Sequence, residues 1–587
     1  MLSPSQVIVI ATPVFFLLIA IEWLVSMRRR QYPYRLADAY SSMSLGLLSQ
    51  TSAVFTKLLT VGIYTAVFEH VALMRNDAFW LSLPGWLIAL VLYDFLYYWN
   101  HRMGHEVGVL WAAHVVHHQS QQYNLSTALR QPSSYALLSW LFYLPMALLG
   151  VPPLVFVVVG LIDLLYQFWV HTEQVRRLGW FDRWFCAPSN HRVHHAVNDQ
   201  YIDKNYGGIL IIWDRLFGTF KQEDDREPCV YGTRGLLRSW DPLWANASVY
   251  SQLAQDSWHA RSFGDKLRVW LKPPGWRPAD VAARFPKPAF VLDEHRALFE
   301  PPLSGAAKGF STLQFFALIA GAALFLWNAD QAPLAHNLIW FATIGIAQWV
   351  LGAVLQGRIS VWLALMLDAG VLAAATGALG LTEWHMVFKP TAMLLACGQV
   401  LSAQRIAPVD KAGNTRPYSL RWLLVALQWS FIGDVCLMFS APAMFMPGLV
   451  SFLLAHLCYI VVMKPGMPWF ADRRALAITL LLGAGMYAVL WMGGLPAELR
   501  IPVAIYVSVI ALMAAQAWGR WRVMQSFNAL LVALGASLFM LSDAILALDR
   551  FVQPVPYAIF WVLMAYFGAQ ALIVWGLTGK PASVRQP

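Results

Sequence analysis

The feature that most constrains this chain is a recurring run of apolar residues about twenty long, the length a helix needs to cross a bilayer. Ten such runs follow one another at 311–327, 336–356, 359–380, 385–402, 421–441, 445–463, 474–494, 500–517, 525–547 and 556–576. Five more lie earlier, near 6–25, 42–66 and 82–100 and as a pair at 135–150 and 152–170. In hydrocarbon every backbone N–H and C=O must bond within the chain, so such spans read as helices. An all-α polytopic membrane protein is predicted. Composition agrees: 58% of the 587 residues are hydrophobic and 13% are charged, too apolar for a soluble chain of this size.

Charge then orients the spans. The first run has no basic residue before it and Arg28, Arg29 and Arg30 directly after it. A cleavable signal peptide has the opposite flank, so this run is predicted to stay as an anchor. If the arginines are cytoplasmic, alternation brings the basic segments 411–421, 464–474, 519–522 and 579–585 to the same side. That is the usual bias of polytopic proteins, and it accounts for the net charge of +10 with no nucleic acid as partner. The stretch 172–308, rich in Trp, Arg, Asp and Pro, becomes a cytoplasmic cap. The five cysteines form no CxxC pair and carry no disulfide argument.

Nine of the fifteen histidines fall between 101 and 195. They come as "HRMGH" (His101, His105), "HVVHH" (His114, His117, His118), "VHTE" (His171) and "HRVHH" (His191, His194, His195). Residues three and four apart share a helix face, so each cluster is expected to aim two or three imidazoles at one point. Nine imidazoles exceed what one tetrahedral ion needs, so two metals are the natural count. Ligation by imidazole without cysteine suits iron, zinc or copper. A metal transporter would carry such ligands near the midplane of several spans, whereas these sit at cytoplasmic helix ends.

The order HxxxH, HxxHH, HxxHH resembles the fatty acid hydroxylase and sterol desaturase superfamily of membrane di-iron enzymes. Within it, "DFLYYWNHRMGHE", "WAAHVVHHQSQQYNLSTALRQ", "LLYQFWVHTE" and "PSNHRVHHAVNDQYIDKNYGGILIIWDRLFGTF" resemble the alkylglycerol monooxygenase family. The resemblance implies two Fe ions on the nine histidines and O₂ as co-substrate. It also implies tetrahydrobiopterin, or a related tetrahydropterin, as electron donor, and alkylglycerols cleaved to fatty aldehyde and glycerol. No dinucleotide fingerprint, haem motif or Fe–S cysteine set occurs, so electrons have to come from outside the chain, and the resemblance implies an external pterin-regenerating reductant as their source. Glu106 and Glu173 follow ligand positions closely. They are candidates to orient an imidazole or, for Glu106, to contact the pterin. Tyr123, Asn124 and Arg130 lie in the family-like "YNLSTALRQ" and are candidates to shape the substrate or pterin pocket. Asp94 is read as a packing residue of its helix.

Past residue 360 the few polar residues inside apolar runs stand out: Lys389, Asp434, His456 and Asp543, with Tyr506 at a similar depth. A charge in mid-membrane costs about 2.5–3.5 kcal/mol, so these are candidate functional groups. "KPTAMLLA", "GDVCLMF", "FLLAHLCYI", "GASLFMLSDAILALDRF" and "YFGAQALI" resemble the lysoplasmalogenase family, eight-helix membrane hydrolases of vinyl ethers. Protonation of the alkene carbon and capture of the cation by water would then fall to Asp434 and Asp543, in an order the sequence leaves open. Three segments are expected: a di-iron hydroxylase with cytoplasmic cap (1–310), connecting helices (311–380) and a lysoplasmalogenase-like bundle (381–587). Together they read as a bifunctional ether-lipid-cleaving enzyme acting on alkylglycerols and lysoplasmalogens. The alternative is a sterol or fatty acyl hydroxylase or desaturase with an inactive or structural second half.

Overall fold

The structure, a computed structural model, describes residues 3–31, 33–406, 417–439 and 441–579. The segments 411–416 and 580–585, used above to orient the spans, lie outside the described residues. The described residues form helices and loops, with two isolated β-bridges, Phe185–Leu210 and Ala196–Tyr231. Eleven described helices are long and apolar enough to cross a membrane, twelve if Leu36–Val71 counts as one span despite a 43° bend. The chain is a polytopic membrane protein. It divides into two compact units: Met1–Leu303 with Ser311–Asn337, and Ser304–Phe310 with Leu338–Pro587.

In the first unit the helix Leu83–Glu106 runs past its expected end and carries His101 and His105 on its last turns. The expected pair at 135–150 and 152–170 forms the shorter helices Ala136–Leu148 and Pro153–Trp169. At 1.5 Å per residue these reach about 20 and 26 Å, less than a full crossing. Pro152 and Gly150 make the turn between them. Gly150 has φ +87°, and a Cβ there would lie 1.9 Å from the Met74 carbonyl oxygen. The pair packs through Met146, Val151, Val155 and Val159 onto Tyr64, Trp80 and Ala89 of the neighbouring helices. Beyond Trp169 the chain leaves the apolar spans for short helices and tight loops, and this region holds the last four clustered histidines.

The second unit contains eight consecutive helices: Val361–Ala378, Thr382–Ile406, Pro417–Met438, Phe445–Val462, Arg473–Met492, Ala497–Met524, Phe527–Phe551 and Ala558–Thr578. Val361–Ala378 packs on both Thr382–Ile406 and Ala558–Thr578, which closes the bundle. Close approach depends on small residues, as it does between helices in lipid. A Cβ at Gly535 would sit 2.9 Å from the Ala569 oxygen, and one at Gly576 2.5 Å from that of Asn528.

Candidate functional sites

The histidines gather in the first unit as two groups, and the division cuts across the sequence clusters. His101, His105, His114, His118 and His194 form one group. His117, His171, His191 and His195 form the other, with ligand atoms inside each group within 4.8 Å of one another. Each HxxHH triplet was expected to aim at one point. Instead His117 and His118 part, as do His194 and His195, because consecutive residues on a helical turn point about 100° apart. The doublets therefore join the two groups. His114 closes the helix Gly108–His114, while His117 and His118 lie on a 3₁₀ turn, Val115–His118.

Backbone carbonyls fix the rings. His101 Nδ1 donates to the Tyr206 oxygen at 2.8 Å and His117 Nδ1 to that of Arg130 at 3.0 Å. His171 Nδ1 donates to Gln167 at 2.8 Å and His194 Nδ1 to Lys204 at 3.0 Å. A carbonyl only accepts, so these four rings carry their proton on Nδ1 and present a bare Nε2. Burial keeps them neutral: it pushes His117 down to about 4 and holds His171, His191, His194 and His195 well below the usual range.

Yet His117 and His171 turn their Nε2 atoms to each other at 3.1 Å. His171–His191, His117–His195 and His191–His195 add Nε2 separations of 3.1, 3.1 and 3.2 Å. Between His117 and His171, both protonated on Nδ1, two lone pairs face each other, and these repel unless a cation stands between them. Four nitrogens about 2.1 Å from one ion would be spaced at about this distance. In the other group the buried Nε2 atoms of His101, His105 and His194 have no hydrogen-bond partner. The donor set fits two metal ions.

The two carboxylates proposed to orient these rings do other things. Glu106 pairs with Arg102 Nε at 2.8 Å, and Glu173 accepts from the Tyr231 hydroxyl at 3.0 Å. Asn124 caps the short helix Leu125–Ala128 and donates to the Pro33 oxygen at 2.6 Å. Arg130 is buried and donates through Nε to the Val116 oxygen at 2.7 Å, so it braces the 3₁₀ turn while its own carbonyl holds His117. Tyr123 is the one of the three whose side chain packs on the histidines. Its ring stacks on His171 at 5.6 Å and on Tyr231 at 4.9 Å.

Two buried aspartates shape the loop that supplies the Tyr206 carbonyl. Asp94 accepts from Ile209 N, Leu210 N and Trp213 Nε1 at 2.6, 3.1 and 2.8 Å. Asp214 accepts from Tyr206 N and Gly207 N, both at 2.8 Å. Asp94 does pack its helix, by docking this loop.

In the second unit the five singled-out polar residues form two adjoining groups. Lys389 Nζ lies 3.3 Å from Asp434 Oδ1, and the Tyr566 hydroxyl donates to Asp434 Oδ2 at 2.5 Å. The Tyr506 hydroxyl donates to Asp543 Oδ2 at 2.6 Å, and His456 Nε2 meets that hydroxyl at 3.0 Å. Phe539 stands between the groups, 4.7 Å from the His456 ring and 5.3 Å from that of Tyr566. Asp434, Asp543, Lys389 and both tyrosines line one cavity of about 1040 Å³. Tyr566 was missed, although "YFGAQALI" places it, like Asp434, among the few polar groups of an apolar helix.

Comparison with known proteins settles the lineage. Alkylglycerol monooxygenase of Homo sapiens is 38% identical over 311 residues, covering 53% of this chain and 69% of the relative. That of Xenopus tropicalis is 36% identical over 310 residues, covering 53% and 68%. The chain belongs to the alkylglycerol monooxygenase family. Within this alkylglycerol monooxygenase relative, the fatty acid hydroxylase family matches residues 86–219, the segment holding all nine histidines. Membership implies iron at the paired histidine groups. The YhhN family matches residues 384–577. Human lysoplasmalogenase TMEM86B is 33% identical over 161 residues, 27% of this chain and 63% of the relative. No solved structure matches the chain. The protein is thus an oxidoreductase-family membrane chain fused to a lysoplasmalogenase-like one.

Proposed function

We propose that this chain cleaves two kinds of ether lipid. Its first unit would be an O₂- and tetrahydropterin-dependent alkylglycerol monooxygenase with its histidines on the cytoplasmic face, and its second a vinyl ether hydrolase. The observation that carries the first reading is the face-to-face arrangement of Nδ1-protonated, neutral imidazoles. His101, His105, His114, His118 and His194 would hold one iron, and His117, His171, His191 and His195 the other. Bound iron would supply oxidation of the carbon next to the ether oxygen by O₂, with two electrons from the pterin. The chain's part is to keep the buried rings neutral and to hold four of them, His101, His117, His171 and His194, in register through the Tyr206, Arg130, Gln167 and Lys204 carbonyls, the usual task of groups behind the ligands. The hydroxylated product is a hemiacetal. Its hydroxyl proton passes to the leaving glycerol oxygen as the C–O bond breaks, giving fatty aldehyde and glycerol.

For the second unit, the carboxyl pair in an apolar cavity carries the reading. Lys389 offsets the charge of Asp434, and the Tyr566 hydroxyl fixes its second oxygen. Asp543 opens on the cavity beside Tyr506 and His456, a route by which a spent proton is replaced. Asp543 is assigned to protonate the alkene carbon and Asp434 to stabilise the oxocarbenium ion. Water adds to that ion, and the hemiacetal releases aldehyde and alcohol.

The test is metal analysis of purified protein beside an aldehyde-release assay on 1-alkyl and 1-alkenyl lipids, with and without tetrahydropterin and O₂. Near two irons per chain, pterin-dependent alkyl cleavage and pterin-independent alkenyl cleavage are expected. Zinc in place of iron, or alkyl cleavage that ignores pterin, defeats the first half. Absence of alkenyl cleavage defeats the second.

A further inference from the structure

The cavity of the second unit is far larger than its reacting groups require, and its shape is uneven. At the end of the bundle formed by residues 379–381, 441–444, 493–496 and 552–557 it is wide. The helices Thr382–Ile406, Pro417–Met438, Phe445–Val462 and Ala558–Thr578 line it only through residues nearest this end. Val361–Ala378 touches it there through Gly377, whereas Arg473–Met492, Ala497–Met524 and Phe527–Phe551 line it to greater depth. Arg473–Met492 contributes residues from Leu490 to Arg474, a distance of about 24 Å at 1.5 Å per residue. Trp518 and Ser537 line the deep part from the two facing helices.

The carboxyls stand part-way in. Asp543 is eight positions from the end of its helix at Phe551, about 12 Å. About 12 Å of cavity then remains below it, down to the level of Arg474. The wall there is largely apolar, with Ile478, Leu482, Ile510 and Met540, while Asp472 and Arg474 close its far end. The wide end is different: Thr382, His385, Lys389, Asp549 and Arg550 border it.

We infer that this cavity holds one single-chain lipid in one direction: polar head in the wide end, alkyl chain laid down the Arg473–Met492 side. The inference rests on the vinyl ether reading and adds what that reading leaves open, namely which way the substrate enters and what limits its chain length. A lysolipid's phosphate is only a glycerol's length from the bond to be cleaved. That reach brings it to the Lys389 and His385 side, but falls well short of Arg474 at the far end. The hydrocarbon has the opposite need, a long apolar slot beginning at the carboxyls. On this placement the slot takes one chain, and a diacyl lipid should bind more weakly.

Binding tests this without requiring hydrolysis. Saturated 1-alkyl lysoglycerophospholipids of graded chain length are titrated against the detergent-purified full chain, read by displacement of a labelled long-chain member. Affinity should tighten about fourfold for each methylene buried, then plateau where the slot ends. Thr479→Trp should move the plateau to shorter chains, and Ala475→Trp, a turn deeper, should move it less. Ala547→Trp, at the wide end, should weaken all chain lengths alike. A plateau that neither deep variant moves, or that only Ala547→Trp moves, overturns the proposed direction. Equal binding of a diacyl lipid overturns the single-chain assignment. If a variant fails to fold, the wild-type plateau still decides: affinity that does not depend on chain length leaves no slot. Shifted plateaus in a protein that cleaves no vinyl ether would sink the hydrolase reading and leave the slot standing.

Discussion

Lys389 and Asp434 show how a residue pair can be necessary together and dispensable together for stability. Their side chains are 9% and 3% exposed, so both charges are largely shielded from bulk water and depend on each other. Removing one partner strands the other, at a cost of about 3–5 kcal/mol in known cases, whereas replacing both with apolar groups is often neutral. Lys389→Met should therefore lower the unfolding midpoint in detergent sharply. Lys389→Met combined with Asp434→Leu should recover most of that loss and remain inactive on vinyl ethers. A double variant no more stable than the single one would show that the pair contributes more than charge balance. At this scale the sequence was informative wherever chemistry is rare. An imidazole cluster, or a lone carboxylate in an apolar run, stands out because its burial has to be explained. The carbonyls of Tyr206, Arg130, Gln167 and Lys204 could not be read, because every residue carries one and only the fold selects which four serve. Arg130 shows the converse: a conspicuous side chain in a family-like stretch that turns out to brace a turn.

Among the elements, the loop from Asp203 to Phe220 does the most for its size. Asp203 and Asn205 have φ +57° and +58°, and the two glycines that follow let it lie against buried carboxylates. A Cβ on Gly208 would be 2.7 Å from Asp163 Oδ1 and 3.0 Å from Asp94 Oδ1. Gly208→Ala should thus push the loop off Asp94, withdraw the Tyr206 carbonyl from His101, and reduce iron content before it reduces overall helicity. Iron retained at wild-type occupancy would show that the loop adapts. The same loop should respond to pH. Burial raises the Asp214 carboxyl from its ordinary 3.8 to about 6, despite the N–H groups it accepts from. An acid raised on folding stabilises the fold only in its protonated form, so its contribution is full below the unfolded value and lost as pH rises through about 6. Amide protection over residues 205–220, corrected for intrinsic exchange, should fall between about pH 4 and pH 6 and then level off. Asp214→Asn should flatten that curve, at the expense of one of the two backbone bonds. Helix positions and order were legible from hydropathy because lipid forces helices on apolar runs. The loop was not, since its shape comes from side chains bonding to backbone far away in sequence, as Asp94 does to Ile209.

Over the whole molecule the question is whether the two sites depend on each other. Each compact unit holds its own cluster of candidate reacting groups. Among the described residues, the two clusters with metal-binding geometry are both in the first unit. The Asp434 and Asp543 groups are built from helices of the second unit alone, with a lysine rather than a metal as the counter-charge. Nothing in proton transfer to an alkene needs iron, and nothing in ether oxidation needs the buried carboxyls. Reductive chelation of the purified full chain should therefore abolish pterin-dependent alkyl cleavage and leave alkenyl cleavage within about twofold. Asp543→Asn should do the reverse, costing alkenyl cleavage roughly 10²- to 10⁴-fold, the usual weight of a general acid, at unchanged iron content. Restoring iron should restore only the first activity, which separates loss of metal from damage by the chelator. If stripping iron from a protein with unaltered helicity removed both activities together, the chain would hold one composite site rather than two.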